Sequence, residues 1–206
     1  EQQHQELLLT DIKHALFQNP LGPAMWQMPS PLAGEGGAPP GAGGEGAAAS
    51  VVGSAANPSP NPLPQGERAI WHSHPGGMAL VGHDGAGFAF DNEAPRHRVL
   101  LEPFALAERL VTNAEWQQFI DDGGYRTASL WLSDGWAWRQ AEVIEAPLYW
   151  RGGEHFTHCG WQPRDPAAPV AHISYFAADA FATWAGARLP TEFEWEAVAR
   201  AHDPAA

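Results

Sequence analysis

RLVTNAEWQQFIDDGGY (109–125) is the stretch whose reading decides how this chain folds. Thr112 and Glu115 stand three residues apart at the head of an apolar pattern, the spacing at which a hydroxyl and a carboxylate satisfy each other's free backbone amides. That spacing predicts a helix from about Asn113 to Ile120, ending near Gly123 and Gly124. Further along, ARLPTEFEWEAVAR (187–200) has Thr191 and Glu194 at the same spacing and predicts a helix after Pro190. Between the two, Ser174 is placed to cap a helix over Tyr175–Ala185 that Gly186 stops. Upstream, from Ile70 on, short apolar runs alternate with Gly- and Asp-rich turns, and Arg98–Leu101 and Phe104–Leu106 read as strands.

The segment LWLSDGWAWRQAEVIEAPLYWRGGEHFTHCGW (130–161) shows no convincing period and predicts irregular structure, with Asp134 and Gly135 as a turn. Asp91, Asn92 and Glu93 also sit in turn context. Trp116, Trp184 and Trp195 are expected in the core. No internal repeat of useful length is legible. At the start, EQQHQELLLTDIKHALFQ (1–18) reads as a helix with Leu8, Ile12 and Ala15 or Leu16 on one stripe, stopped by Asn19-Pro20. Residues 29–66 are dominated by Gly, Ala and Pro, and such a stretch cannot bury enough apolar surface to offset its ordering entropy. It is expected to be a disordered insertion or linker.

The chain has 206 residues and a net charge of −13, from 24 acidic against 11 basic residues. A surface that acidic repels phosphate backbones, which argues against nucleic acid as a partner. It serves solubility first, although it also favours a cationic substrate. The single cysteine, Cys159, rules out a disulfide within the chain and fits a reducing compartment. No apolar run approaches bilayer length and no signal segment opens the chain, so a soluble, cytoplasmic protein without a membrane partner is expected. The start at Glu1 and the stop at Asp203-Pro-Ala-Ala read as cut ends, so the chain is expected to be a fragment.

Few residues carry chemistry on their own. His4 is a candidate metal ligand, because imidazole suits iron, zinc or copper when other ligands converge. Glu6, two residues on, diverges from it by about 200° around the helix, so the two cannot readily grip one ion. Asp11 lies two turns away and His14 points aside, leaving one ligand. His72, His74, His83 and His97 match neither a zinc-finger spacing nor a helical pair, and are expected to be satisfied or exposed. Cys159 has His155 and His158 near it in sequence, but a nucleophile needs a base placed in space, and it is expected to be inert.

Two resemblances extend this reading. EQQHQELLLTDIKHAL resembles the helix that ends the DinB-like four-helix domain of the ergothioneine-biosynthesis sulfoxide synthases. Their His-x-x-x-His-x-Glu motif puts its second His on His4 and its Glu on Glu6, with the first His one residue before Glu1. The resemblance implies that His4 is an iron(II) ligand, that Glu6 orients a ligand, and that Gln3 lies near bound trimethylhistidine. GFAFDNEAPRHRV, RLVTNAEWQQFIDDGGY, LWLSDGW, APLYW and ARLPTEFEWEAVAR resemble the formylglycine-generating-enzyme, or sulfatase-modifying-factor, domain, a C-type-lectin-like α+β fold. LWLSDGW and APLYW point to the ergothioneine branch.

The implied division is the last helix of a DinB-like metal-binding domain at 1–25, a low-complexity insertion at 26–70, and part of the lectin-like domain at 71–206. The implied activity is iron- and O2-dependent C–S bond formation between trimethylhistidine (hercynine) and cysteine or γ-glutamylcysteine, giving a sulfoxide. The family's other iron-binding histidines, sulfur-donor arginines and tyrosine proton donor have no counterpart in these residues, so the fragment alone is expected to be inactive. Selenoneine or ovothiol-type synthesis on the same scaffold, or a non-catalytic lectin-like module, are the alternatives.

Overall fold

The computed structural model describes residues 2–26, 52–54, 70–85 and 87–202, and it is an α+β assembly of helices and three small antiparallel sheets. The elements are α1 (Gln2–Gln18), β1 (Val52–Ser54), β2 (Trp71–His74), β3 (Gly77–Val81), β4 (His97–Leu101), β5 (Phe104–Ala107), α2 (Asn113–Asp121) and α3 (Ser133–Ala141). They continue with β6 (Trp150–Arg151), β7 (Glu154–Thr157), β8 (Gly160–Pro163), α4 (Tyr175–Trp184) and α5 (Glu192–His202). The sheets run β1-β5-β2, β3-β4 and β6-β7-β8. Among the described residues no helix is long and apolar enough to cross a membrane.

The expected helices form where their caps stand. At α2, Thr112 accepts from the Glu115 amide and the Glu115 side chain accepts from the Thr112 amide, so each closes an open valence of the other. At α4, Ser174 accepts from the Ala177 amide. The strands expected at 98–101 and 104–106 are β4 and β5, each longer by one residue. Within the stretch expected to be disordered, Val52–Ser54 form β1 and pair antiparallel with Phe104–Leu106. The remainder of that stretch, 29–51 and 55–66, lies outside the described residues.

The main core is aromatic. Trp116 and Phe119 on α2 are fully buried against Phe181 on α4, with Tyr125, Trp131 and Val170 closing the sides. Trp116 stacks on Phe181 at 4.9 Å between centroids and 5° between planes, and its indole N–H donates to the Tyr125 hydroxyl at 3.3 Å. Alanines at 177, 180 and 182 let the helix backbone of α4 come close enough for this. A smaller core lies between the β3-β4 hairpin and α5, built on Leu101 and Phe104 with Phe193, Ala197 and Val198 packed against them.

Three expectations are corrected. The segment 130–161 is regular: it contains α3 and the whole β6-β7-β8 sheet. Its strands are only two to four residues long, too short for an alternation to register, and α3 starts without a side-chain cap. Asp134 and Gly135 are in the first turn of α3, not in a turn between elements. Gly135 is there for closeness, because a Cβ would lie 2.7 Å from Cβ of Phe176 on α4. Gly135→Ala is therefore expected to cost about 1–3 kcal/mol through forced separation of α3 and α4, read as a lower urea midpoint. Trp195, expected in the core, is 55% exposed because α5 turns another face inward. Trp116 is buried as expected and Trp184 packs partly buried against the same cluster.

Finally, a short repeat exists. RLVTNAEW (109–116) and RLPTEFEW (188–195) build the same device twice. Arg109 grips Glu115 through two nitrogens at 2.8 and 2.9 Å, and Arg188 grips Glu194 through two at 2.8 and 2.6 Å. Each arginine also donates to the carbonyl of the following leucine, and each Thr amide donates to its Glu at 2.8 Å. Loop residues 111 and 190 differ, Val against Pro, which hid the match.

Candidate functional site

The second half of α1 is fastened to the β6-β7-β8 sheet and the loop before α4, and four perturbed titratable groups gather there. Phe17 fits into a box of three rings, with centroids 4.9 Å from Tyr149, 5.7 Å from Phe156 and 6.0 Å from Trp161. The chain then passes directly over Trp161 at Gly22. Its φ of +52° and the 2.5 Å that would separate a Cβ from the Trp161 indole nitrogen both require glycine. His158, in the turn between β7 and β8, places Nε2 3.0 Å from the Leu9 carbonyl oxygen and stacks on Trp26, and its own carbonyl accepts from the Met25 amide.

Lys13, the only lysine in the sequence, forms the polar centre. Its ammonium lies 2.8 Å from Nε2 of His172 and 4.4 Å from the centroid of the Tyr149 ring. The next residue, His14, has Nδ1 3.2 Å from the Tyr149 hydroxyl and Nε2 3.1 Å from the Gln18 amide. Burial lowers the Lys13 pKa to about 8, and among the described residues no carboxylate offsets that. Burial, then the charges of Lys13 and His155, push His172 down to about 4. His155 is lowered by burial, Lys13 and Arg164, and the Tyr149 hydroxyl is raised by burial. At neutral pH a charged ammonium thus donates to a neutral imidazole, which avoids two facing cations.

The backbone at this site is strained. Tyr149 and His172 both adopt left-handed conformations, with φ of +73° and +60°. Such residues persist only where the surroundings over-determine them. Here the Tyr149 carbonyl accepts from the Phe156 amide at 2.8 Å, and the His172 carbonyl accepts from the Leu148 amide at 3.1 Å. The arrangement is a clamp that fixes the rotation and axial position of α1.

Its pH response has a definite sign. His172 protonates more readily in the unfolded chain, where its pKa is near 6.5, than in the clamp, where it is about 4. Its contribution to stability is therefore full above 6.5 and is lost as pH falls towards 4. An NMR titration of the His172 ring is expected to show the low value. In Lys13→Met that value is expected to rise yet stay below 6.5, because burial is the larger cause.

Gln3 and His4 fall in α1, but their side chains lie outside the described ones. Glu6 is exposed, and its backbone carbonyl accepts from the Thr10 hydroxyl. No group of three or more His, Cys, Asp or Glu able to hold a metal occurs among the described residues. The imidazoles of the clamp do not change this, because His172 Nε2 faces an ammonium and both nitrogens of His14 have partners. The described residues do not fit an iron site. The other histidines serve local structure: His74 and His83 accept from the amides two residues on, His97 sits 3.0 Å from the Pro95 carbonyl, and exposed His72 lies 4.0 Å from Glu108. The Cys159 amide donates to Thr157.

Sequence reasoning set His14 aside and missed Lys13, Tyr149 and His172. The uniqueness of Lys13 was the one visible signal. Left-handed tyrosine and histidine leave none, since neither residue type announces that conformation.

An α+β domain of small sheets, two Thr-x-x-Glu-capped helices and an aromatic core is a distinctive class, and residues 55–205 match the sulfatase-modifying factor enzyme 1-like domain. The chain belongs to that family. It is 51% identical over 119 residues to the hercynine oxygenase of Mycobacterium tuberculosis, covering 57% of this chain and 28% of that protein. With the hercynine oxygenase of Mycolicibacterium smegmatis it shares 43% identity over 151 residues, 70% of this chain and 35% of the relative. It is 33% identical over 162 residues to the formylglycine-generating enzyme of Streptomyces coelicolor, covering 71% of this chain and 52% of that enzyme. The chain thus spans about a third or less of the hercynine oxygenases it matches and about half of that formylglycine-generating enzyme.

Proposed function

We propose that this chain is part of a hercynine oxygenase of ergothioneine biosynthesis. In this reading the whole cytoplasmic enzyme uses iron(II) and O2 to join hercynine to a cysteine-type thiol as a sulfoxide. The 51% identity to a hercynine oxygenase, against 33% to a formylglycine-generating enzyme, is the observation that carries the reading. Within the proposal, residues 1–25 end a DinB-like bundle, 26–70 are an insertion, and 71–206 belong to the lectin-like domain. His4 is assigned as one imidazole ligand of the iron, Gln3 as a hercynine contact and Glu6 as the group that orients a ligand. The other ligands come from outside this sequence, so the 206-residue chain alone is inactive.

The clamp gives α1 a part in this scheme. Lys13 lies nine residues beyond His4, about 13 Å along the axis and on roughly the opposite side of the helix. Fastening that half to the body leaves an exposed side that carries Leu7 and Leu8. That exposed side is where a helix bundle would pack.

The test is an assay of the complete gene product with iron(II), O2 and hercynine. Cysteine, γ-glutamylcysteine and a selenosugar are supplied in parallel, and products are identified by mass spectrometry. A cysteine-derived sulfoxide is expected, with none from the 206-residue chain. His4→Ala in the complete enzyme is expected to lower iron affinity and turnover by at least about 100-fold. Full turnover in that variant, or a selenium product alone, would overturn the assignment.

A further inference from the structure

The repeated octapeptide fixes two helices at the same phase but leaves their tryptophans in opposite environments. In α2 Trp116 is covered by Phe181 of α4 and Ile120 packs against the same cluster, while the Asn113 side chain donates to the Asp165 carbonyl. The matching face of α5 carries Glu192, Trp195 and Ala199, all exposed, with Trp195 at 55% against 0% for Trp116. Trp195 is not loose. Arg188 and Thr191 lock the start of α5 through Glu194, which is 5% exposed. On its inner side Glu196 accepts from the Gly82 amide at 2.7 Å, while Arg200 donates to the Gly82 carbonyl at 2.6 Å. A rigid helix therefore holds an indole outward at the position that, in its twin, is the centre of a core.

We propose that the Trp195–Ala199 face of α5 seats an alanine-rich helix of the same polypeptide, which lays an aromatic ring on Trp195 as α4 lays Phe181 on Trp116. The first copy of the motif states the chemistry of the occupant. It is a helix whose small residues allow close approach and whose one ring stacks flat, as Ala177, Ala180 and Phe181 do. The length of the relatives, of which this chain covers 28% to 52%, supplies polypeptide that could provide it. A second copy of the chain fits less well. Pairing would bring together two molecules that each carry a net charge of −13.

The experiment places the photo-crosslinking residue benzoylphenylalanine at position 195 of the complete gene product. The expected adduct has the mass of one polypeptide and maps to a helix with alanine neighbours outside residues 1–206. An adduct between two copies, an adduct to a loop, or no adduct would overturn the proposal. In parallel, Trp195→Ser is expected to lower the melting temperature of the complete protein by several degrees and that of the 206-residue chain by almost nothing. Equal shifts in the two proteins would also overturn it.

Discussion

Trp116→Ala is expected to lower the unfolding free energy by about 4 kcal/mol, near the upper end for an aromatic residue removed from a core. The indole is fully buried, stacks on Phe181, meets Phe119 edge-on at 5.6 Å and donates to Tyr125. Its loss leaves a cavity bounded by three elements and takes away a partner of a buried tyrosine hydroxyl. Because domains of this size are stable by roughly 5–15 kcal/mol, the variant sits near the edge of folding. Urea unfolding followed by near-ultraviolet circular dichroism measures the change. The same substitution at Trp195 in this chain is expected to move stability by less than about 0.5 kcal/mol. The same tryptophan position in two copies of one capping device, with a several-fold difference in effect, would show that environment, rather than residue type, sets the outcome.

The second large effect belongs to Glu194. Its carboxylate takes two nitrogens of Arg188 and the Thr191 amide while almost wholly buried. Arg188 is half exposed and recovers water when its partner goes, which limits the loss. The helix cap and the charge-assisted bonds remain, and together Glu194→Ala is expected to cost about 2–3 kcal/mol. The pH dependence follows from the same contacts. Arg188 first, with Thr191 assisting, outweighs burial and holds the Glu194 pKa at about 2, below its ordinary 4.5. The stability it confers is present above pH 4.5 and drains away as pH falls through 2. Chemical unfolding at stepped pH is expected to show a shallower acid loss in Glu194→Gln than in the unaltered chain. A slope unchanged between pH 4.5 and 2 would mean that the carboxylate contributes nothing as an anion.

These effects mark what was readable beforehand. Helices α2, α4 and α5 and strands β4 and β5 were legible because capping and apolar spacing are local and act within a few residues. Helix α3 and the β6-β7-β8 sheet were not, since their order comes from partners distant in sequence. Gly135 is intelligible only beside Phe176, and Phe156 only beside Phe17. The candidate site divides in the same way. His4, Gln3 and Glu6 were singled out through a family motif, and the side chains of the first two lie outside the described ones. The Lys13–His172 contact joins residues 159 positions apart, a separation across which no spacing rule carries information.

The solitary lysine has a practical corollary. A protease that cuts only after lysine has one target in this polypeptide, and that peptide bond lies in the part of α1 pinned to the sheet. Cleavage there requires the helix to lift off and unwind, so a single nick, yielding one short piece and one long one, counts departures of α1 from the body. Acidification towards pH 4, ligand addition or loss of the Phe17 ring can each be scored by that one cut, without a label or a spectroscopic probe.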